Sequence, residues 1–290
     1  MLQAMKIKIV ILTIAAVMAA SSQSRAQLKV LPDKEPQQVF AGKAREIAVV
    51  WRNEGDKAVD TEVRTRLYQT TTATAVQLWV APWKRIRVLP GQTIIESATL
   101  SFPSVKGETR FLIQWLEGTN TVLGKTDVLV YPTNLLAELK PLAGENEPLG
   151  VFDPQNHLKP LLRNLKIEFA DLEDAGLERF QGKLAIIGPF QSKAQMREGL
   201  ANDIDKLAKK GVAMVWIQPP PEIQTPLKRL EPVKPSFYIV QEGRGAVVVV
   251  QAGLVSNLSG SPQAQLNLIQ FARLALHPEP LRLPYLTPQP

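Results

Sequence analysis

The sequence predicts two domains of different fold class, an all-β domain followed by an α/β domain. Between about Gln37 and Pro132, short segments of alternating apolar and polar residues recur at regular spacing, with almost no helical periodicity. From residue 148 onward, short apolar runs alternate with helical patterns. Alternation of that kind is typical of a mostly parallel sheet that is covered by helices on both faces.

These patterns and the two chain ends predict five segments. We expect a signal peptide at 1–26, a β-sandwich at 27–133, a linker at 134–147, an α/β domain at 148–277 and a proline-rich tail at 278–290. With 290 residues and 45% hydrophobic content, the chain is large enough to build both cores.

The first residues have the order of a secretory signal peptide. Lys6 and Lys8 precede an apolar stretch at 9–20, and small and polar residues then lead to Ala26, after which we expect cleavage. A membrane anchor is the competing interpretation, but a membrane-spanning helix needs about 20 apolar residues, more than this stretch provides. We therefore expect a bacterial protein that is periplasmic or secreted and has no membrane association after cleavage.

Composition excludes several classes of chemistry. The chain has no cysteine, which excludes disulfides, thiolate metal sites, cysteine nucleophiles and a lipid-modified cysteine. Only His157 and His277 are available for a histidine metal cluster or a catalytic triad. Without the three basic residues of the signal peptide, 34 basic residues fall to 31 against 27 acidic ones, a net charge of +4. We expect no cofactor, no metal and no nucleic-acid partner.

The clearest β pattern is REIAVVWRNEGDKAVDTEVRTRLYQ, at residues 45–69. It predicts a β-hairpin with a turn at 53–56. Further strands are predicted in AVQLWVAP, KRIRVLP, TIIESATLSFP, TRFLIQWLEG and LGKTDVLVYP. The residues predicted to face the core are Ile47, Val49, Trp51, Val63, Thr65, Leu67, Phe111, Ile113 and Trp115.

The hairpin with Trp51 and the segment VLPGQTIIESATLSFP resemble the immunoglobulin-like modules of bacterial exported proteins, including those joined to polysaccharide-degrading enzymes. The resemblance covers about the first third of the chain. It implies a two-sheet sandwich of about 100 residues.

The second half contains GKLAIIGP, LAKKGVAMVWIQ, GRGAVVVVQ and SPQAQLNLIQFARLAL, in that order. The order resembles the glutamine-amidotransferase-like fold, particularly its trehalose-utilisation-type branch and related non-catalytic domains of large glycoside hydrolases. The resemblance spans about residues 148–277. It implies a three-layer α/β/α domain of class I amidotransferase-like or flavodoxin-like type.

In that family the strand matching VAMVWIQ enters a glycine-flanked elbow that bears a cysteine, or often a histidine in the trehalose-utilisation-type branch. Here the position falls at Gln218 or Pro219, the latter being the first of three prolines. Proline holds φ at about −65° and cannot form such an elbow. The resemblance therefore implies a catalytically degenerate domain.

Polar residues follow the strands predicted in LGVFD and IEFADL. Asp153, Asn156, His157, Asp171 and Gln218 are the candidate ligand-binding residues, because the carboxyl edge of an open parallel sheet is where ligands bind. The competing interpretations are local. Asp153 or Asn156 would cap the next helix, with a proline in its first turn, and Asp171 would open another helical turn in a solvated loop.

Two further sets of side chains are candidates for a binding surface on the β domain. Trp79 and Trp83 could stack on sugars, because Ala81-Pro82 interrupts the alternation and brings them to a loop or an edge. Four arginines would project from the outer face of the sheet and contact an anionic polysaccharide or a protein; a solvated face is the alternative. They are Arg64, Arg66, Arg85 and Arg87.

The sequence thus predicts an exported, non-catalytic binding or scaffold protein whose partner is a protein or polysaccharide of the cell envelope. The association with polysaccharide-processing machinery is implied by the resemblance. The alternative is a hydrolase that uses carboxylates such as Asp153 and Asp171 on glycans or related substrates. A purely structural partner of an envelope complex is the third possibility.

Overall fold

The computed structural model describes residues 27–144, 146–196, 198–218, 237–242 and 245–278. The predicted signal peptide, the three prolines after Gln218 and nearly all of the predicted tail lie outside these ranges. The described chain is mostly β, with mixed sheets and several helices, and it divides into two compact units. The first unit comprises 27–37, 44–100 and 109–129, and the second comprises 38–43, 101–108 and 130–278.

Two short segments of the predicted β domain thus belong to the second unit. Residues 38–43 form one backbone hydrogen bond with Tyr131 and one with segment 101–108. The N–H of Ala41 donates to the carbonyl of Tyr131 at 2.8 Å, and the N–H of Gly42 donates to the carbonyl of Phe102 at 3.3 Å.

Eight strands form two sheets in the first half of the chain. One sheet has the order β1-β3-β6 and the other has the order β2-β8-β7-β4-β5. The strands are β1 (Leu28–Leu31), β2 (Gln37–Phe40), β3 (Ala44–Asn53), β4 (Val59–Thr70), β5 (Ala75–Val88), β6 (Thr93–Ser101), β7 (Thr109–Glu117) and β8 (Thr121–Tyr131).

The predicted hairpin at 45–69 is wrong, because β3 and β4 lie in different sheets. The side chain of the buried Asn53 organises the crossing. Its Nδ2 donates to the carbonyls of Lys57 at 2.7 Å and Val88 at 3.1 Å, and its Oδ1 accepts from the N–H of Gly55 at 2.9 Å. The alternation of the two strands was predicted correctly, but alternation shows which residues face inward and not which strand pairs with which.

The inward-facing residues are as predicted. Ile47, Val49 and Trp51 of β3 are buried, as are Val63 and Leu67 of β4. Trp115 of β7 is also fully buried, and its ring meets that of Trp51 edge to face, with centroids 5.7 Å apart. The prediction that these two tryptophans belong to the core is therefore confirmed.

β5 is one continuous edge strand, where the sequence predicted two separate strands. Its pairing with β4 has two irregularities, which leave Leu78 and Trp83 without a partner residue. Such bulges, like the proline at Pro82, are features that edge strands accommodate. The alternation therefore breaks without ending the strand.

The second half of the chain contains a six-stranded mixed sheet with the order β10-β9-β11-β12-β14-β13. All neighbouring pairs are parallel except β13 with β14, which is antiparallel. The strands are β9 (Leu149–Phe152), β10 (Phe169–Asp171), β11 (Leu184–Ile187), β12 (Ala213–Gln218), β13 (Phe237–Glu242) and β14 (Gly245–Gln251). Each coincides with an apolar run of the sequence.

The described residues contain five α-helices: α1 (Leu139–Ala143), α2 (Lys159–Asn164), α3 (Leu172–Ala175), α4 (Leu200–Lys210) and α5 (Pro262–Leu276). Short 3₁₀ helices occupy Leu135–Glu138, Leu177–Arg179, Lys193–Gln195 and Ala252–Val255. Within the described ranges, no helix has the length and apolar character needed to cross a bilayer.

The segment 134–147, predicted as a linker, contains α1 and a 3₁₀ helix that both pack against α5. Leu135, Leu136 and Leu139 are buried, and Glu138 forms an ion pair with Arg273 of α5. Gly144 and Pro148 lie after these helices. The leucines before them form part of the second unit.

α4 is bounded by two glycines. Gly199 has φ of +82°, and the helix begins at Leu200. Gly211 has φ of +101° and ends the helix. A glycine inside a helix costs about 1 kcal/mol relative to alanine, and the left-handed conformation at Gly199 is one that glycine adopts easily.

Side chains alternate between the two faces of the sheet along β12 and β14, and α4 and α5 pack against these strands. On one face, Met214, Val247 and Val249 form a buried cluster with residues of α4 such as Leu207. α5 packs against β12 and β14, with Leu268 among its buried residues. The sheet therefore places the carboxyl ends of β9, β10, β11 and β12 along one edge.

Replacing Gly245 by alanine is expected to destabilise the second unit by about 1–3 kcal/mol. An added Cβ would lie 2.4 Å from the carbonyl oxygen of Val212 and 2.7 Å from that of Ala208. Both are backbone atoms, which cannot move away as the end of a flexible side chain can. Urea denaturation followed by far-ultraviolet circular dichroism measures the change in the free energy of unfolding.

Gly253→Ala is the matched control, because its added Cβ would meet no atom within 4 Å. We expect its effect to be below about 1 kcal/mol in either direction. Equal effects of the two substitutions would contradict the close approach of α4 to β14.

Candidate functional site

The carboxyl ends of β9 and β10 bring acidic residues together. The two strands are parallel and adjacent, with Asp171 paired to Val151, so Asp153 follows β9 close to the point where β10 ends. Four residues are joined there by hydrogen bonds and ion pairs, and we call them the Lys159 cluster: Asp153, Lys159, Asp171 and Glu173.

Asp153 holds the start of α2. Its side chain is 1% exposed, and its Oδ2 accepts hydrogen bonds from the N–H groups of Leu158 at 2.7 Å and Lys159 at 3.0 Å. Pro160 lies in the first turn of the same helix. The capping interpretation is therefore confirmed for Asp153, which satisfies backbone donors that the helix itself cannot.

Lys159 lies at the centre of the cluster. The residue is 6% exposed, and its Nζ lies 2.7 Å from Asp171 Oδ2 and 2.6 Å from Glu173 Oε1. Burial alone would lower the pKa of Lys159, but the hydrogen bonds to Asp171 and Glu173 outweigh burial and raise the pKa above its ordinary 10.5. The ammonium group therefore stays protonated at neutral pH.

Asp171 contributes in two ways. Its Oδ1 accepts from the N–H of Glu173 at 3.1 Å and so caps α3, while its Oδ2 meets the ammonium of Lys159. Burial would raise the pKa of Asp171, but the hydrogen bonds from Lys159 and from the Glu173 N–H, together with the charges of Lys159 and Arg163, hold it below 3.8. The predicted helix opening is confirmed, but the residue is also ion-paired.

Glu173 links Lys159 to the backbone after β9. Its Oε1 accepts from the ammonium of Lys159 and, at 3.0 Å, from the backbone N–H of Asp153. One carboxylate oxygen therefore connects α2, α3 and the end of β9.

Asn156 and His157 do not join this cluster. Both side chains are exposed, and neither has a hydrogen-bond partner within the part of the chain that the structure describes. Asn156 adopts φ of +55°, and its N–H donates to the carbonyl of Asp153 at 2.9 Å, which makes the turn before α2. The two residues therefore shape a turn at the surface.

Gln218 lies at the same edge but apart from the cluster. It ends β12, which is separated from β9 by β11, so the two strand ends are about 10 Å apart. Its Nε2 approaches the hydroxyl of Tyr238 at 3.4 Å. The prolines that follow it, including the alternative nucleophile position Pro219, lie outside the described residues.

The predicted tryptophan candidates differ in environment. Trp83 is half-buried and packs on Trp51 in a stacked arrangement with centroids 6.0 Å apart, and on Trp115 with centroids 5.0 Å apart. Its ring is thus part of the aromatic core and not a free sugar-stacking surface. Trp79 is half-buried and pairs with Leu67. Both lie on the edge strand β5, as the interrupted alternation indicated.

The four arginines do not form a continuous positive surface. Arg85 and Arg87 pair across the sheet with Glu62 and Asp60, and Arg85 Nε binds Asp60 Oδ1 at 2.6 Å. Arg64 and Arg66 are half-buried, and Arg66 Nη2 donates to a backbone carbonyl in the loop between β7 and β8 at 3.2 Å. Acidic residues opposite the two exposed arginines make this face mixed in charge.

Lys159 is the residue that sequence reasoning missed. A signal was present, because a basic side chain in the first turn of a helix is electrostatically unfavourable and needs a nearby acid to balance it. Lys159 precedes Pro160 directly, and Asp171 and Glu173 follow along the chain. Asp171 was identified as a candidate, but its partner Lys159 was not.

The geometry of the cluster limits its chemistry. A carboxylate-dependent hydrolase needs one carboxyl group with a raised pKa and a second that reaches the substrate. Asp171 has a lowered pKa, and Asp153 is buried with one oxygen bound to two N–H groups. Within the described ranges, no group of three or more His, Cys, Asp or Glu side chains is arranged to hold a metal ion.

Comparison with known proteins gives no family. No family model and no curated protein matches the chain. Among solved structures, alkylpurine DNA glycosylase AlkC from Pseudomonas fluorescens shares 13% identity over 40% of this chain and 33% of its own, with a TM-score of 0.29. A β-glucosidase from Listeria innocua shares 14% identity over 36% of this chain and 16% of its own, with a TM-score of 0.26.

The CARDB domain of a Pyrococcus furiosus protein, solved with di-metal ions, shares 21% identity over 36% of this chain and 93% of that domain. Its TM-score is 0.23. The chain spans a third or less of the glycosylase and the glucosidase. Scores at this level transfer no function to the chain.

The dependence of stability on pH tests the role of Asp171. Because its folded pKa lies below 3.8, its carboxylate stabilises the fold above that pH, and this contribution is lost as the pH falls through the lowered value. We expect Asp171→Asn to cost about 1–2 kcal/mol at neutral pH, and the difference from wild type to shrink below pH 3.8. Urea denaturation of both proteins across a pH series measures this difference in the free energy of unfolding.

Asp174→Asn is the control, since Asp174 lies in the same helix and is exposed. Its effect on stability is expected to stay within about 0.5 kcal/mol. A difference between wild type and Asp171→Asn that does not change with pH would show that the ion pair with Lys159 contributes nothing.

Proposed function

We propose that this protein is an exported, non-catalytic binding protein of the bacterial cell envelope. In this proposal an immunoglobulin-like sandwich precedes a catalytically degenerate, amidotransferase-like α/β domain. The partner is a polysaccharide or a protein of the envelope. Export follows from the signal-peptide pattern at 1–26.

The observation that best supports a non-catalytic role is the Lys159 cluster. The acids at the carboxyl edge are bound to an ammonium group and to backbone N–H groups, which is a structural use of carboxylates. A general acid or base must exchange its proton with a substrate near neutral pH. The lowered pKa of Asp171 and the raised pKa of Lys159 move both groups away from that range.

Strand order supports the α/β part of the proposal. Numbered along the chain, the five parallel strands have the order 2-1-3-4-5, with β9 first and β14 fifth. That order is the flavodoxin-like one, in which a ligand binds where the strand order reverses, between the first and third strands. In this chain those strands are β9 and β11.

Buried aromatic side chains occupy the strand ends where such a ligand would bind. Phe152 ends β9 and Phe190 follows β11, and their ring centroids lie 6.0 Å apart. Both residues are buried. The N–H of Gly188 also donates to the carbonyl of Phe152 at 2.7 Å, which joins the two strand ends directly. Buried rings at these strand ends favour binding at other surfaces of the molecule.

The proposal predicts binding without turnover. The chain from residue 27 onward would be tested against a glycan panel, immobilised envelope extract, and glycoside and ester substrates. We expect saturable binding to a glycan or to one envelope protein, with no product from any substrate. Asp171→Asn is expected to leave binding within about twofold of wild type, because the cluster does not contact the partner.

Two results would contradict the proposal. Product formation by wild type that is lost in Asp171→Asn would establish the hydrolase alternative. Absence of binding to every glycan and every envelope component would exclude the binding role. Recovery of one protein partner without any glycan would retain the binding role and exclude carbohydrate as the partner.

A further inference from the structure

A cleft lies at the opposite edge of the six-stranded sheet, where β11 and β12 begin. It is lined by residues 178–183 and 210–212 and has a volume of about 470 Å³. Sites for small molecules have volumes of roughly 300–1,000 Å³. The cleft is at the amino edge of the sheet, so it is separate from the Lys159 cluster at the carboxyl edge.

The lining of the cleft is cationic. Three of its side chains are positively charged, namely Arg179, Lys183 and Lys210. Its single acidic side chain, Glu178, binds Lys206 at 3.3 Å, and Lys206 is not part of the lining. The charge of Glu178 is therefore balanced from outside the cleft.

The three cationic side chains differ in the partners that the protein provides for them. Lys183 Nζ lies 2.8 Å from Glu147, and Lys210 Nζ donates to the carbonyl oxygen of Glu178 at 3.0 Å. Arg179 is exposed, and no carboxylate within the described ranges forms an ion pair with it. A guanidinium and an ammonium group thus face the cleft without a carboxylate partner.

Helix electrostatics explain only part of this arrangement. Lys210 is in the last turn of α4, where a cation interacts favourably with the helix dipole. Arg179 and Lys183 lie outside α4, before the start of β11, so the dipole does not account for them. Neither the dipole of α4 nor an ion pair within the described ranges accounts for Arg179 in the lining of this cleft.

We propose that this cleft binds the phosphate group of a small phosphorylated ligand. The planar guanidinium of Arg179 donates two parallel hydrogen bonds to phosphate oxygens, and the ammonium groups of Lys183 and Lys210 supply further donors and charge. The site is independent of the proposed envelope partner and adds a second ligand of different chemistry.

Isothermal titration calorimetry on the whole protein tests the proposal, with glucose 6-phosphate, glucose and inorganic phosphate as probes. We expect glucose 6-phosphate and inorganic phosphate to bind and glucose not to bind. Arg179→Gln is expected to weaken phosphate binding about tenfold, which is the effect of losing a charged hydrogen-bonding partner. Lys210→Gln is also expected to weaken phosphate binding.

Lys209→Gln is the matched control, because it removes the same charge from the neighbouring position in α4 but lies outside the lining. It is expected to leave the affinity within about twofold. Equal weakening by Arg179→Gln and Lys209→Gln would overturn the proposal, as would binding of glucose as tightly as its phosphate. Failure of both phosphate probes to bind at low ionic strength would also overturn it.

Vesicles distinguish the two sources of a phosphate group. Binding to phosphatidic acid vesicles, whose headgroup is a phosphate monoester, but not to phosphatidylglycerol vesicles, lost in Arg179→Gln, would support phosphate recognition and assign it to a lipid headgroup. Binding to glucose 6-phosphate without binding to either vesicle would support a soluble phosphorylated ligand.

Discussion

The buried ammonium group of Lys159 is the interaction on which the described carboxyl edge of the six-stranded sheet depends. α2 has six residues and α3 has four, and isolated helices of that length are not stable in water. Lys159 in α2 binds Asp171 at the end of β10 and Glu173 in α3, while Asp153 holds the first turn of α2. One charged network thus fixes the strand ends and both short helices.

The same network determines what this edge can do. A buried ammonium is tolerated only with nearby carboxylates, and removing one partner leaves an uncompensated charge. The ionised carboxylate of Asp171, whose pKa is lowered, therefore stabilises the fold through its ion pair with Lys159. This structural use of the acids supports the proposed binding role over acid and base catalysis. Phe152 and Phe190 are also buried, with ring centroids 6.0 Å apart, at the reversal point of the sheet.

Much of the fold could be predicted because buried parallel strands are continuous apolar runs, as in Ala213–Gln218, and because α5 shows a helical period. Strand pairing could not be predicted. The alternation of apolar residues in β3 and β4 would be the same whether the two strands formed a hairpin or lay in different sheets. The acids of the site could be identified by their position after strands. Burial of Lys159 depends on contacts with residues twelve and fourteen positions away, which a helix pattern does not show.

A double-mutant cycle between Lys159 and Glu173 tests the central claim most directly. The free energies of unfolding of Lys159→Met, Glu173→Gln and the double variant would be compared with that of wild type. If the ammonium group joins the strand end to both helices, the two substitutions are coupled by about 1 kcal/mol or more. Effects that add within about 0.3 kcal/mol would contradict the account, because they would show that the pair does not hold the edge together.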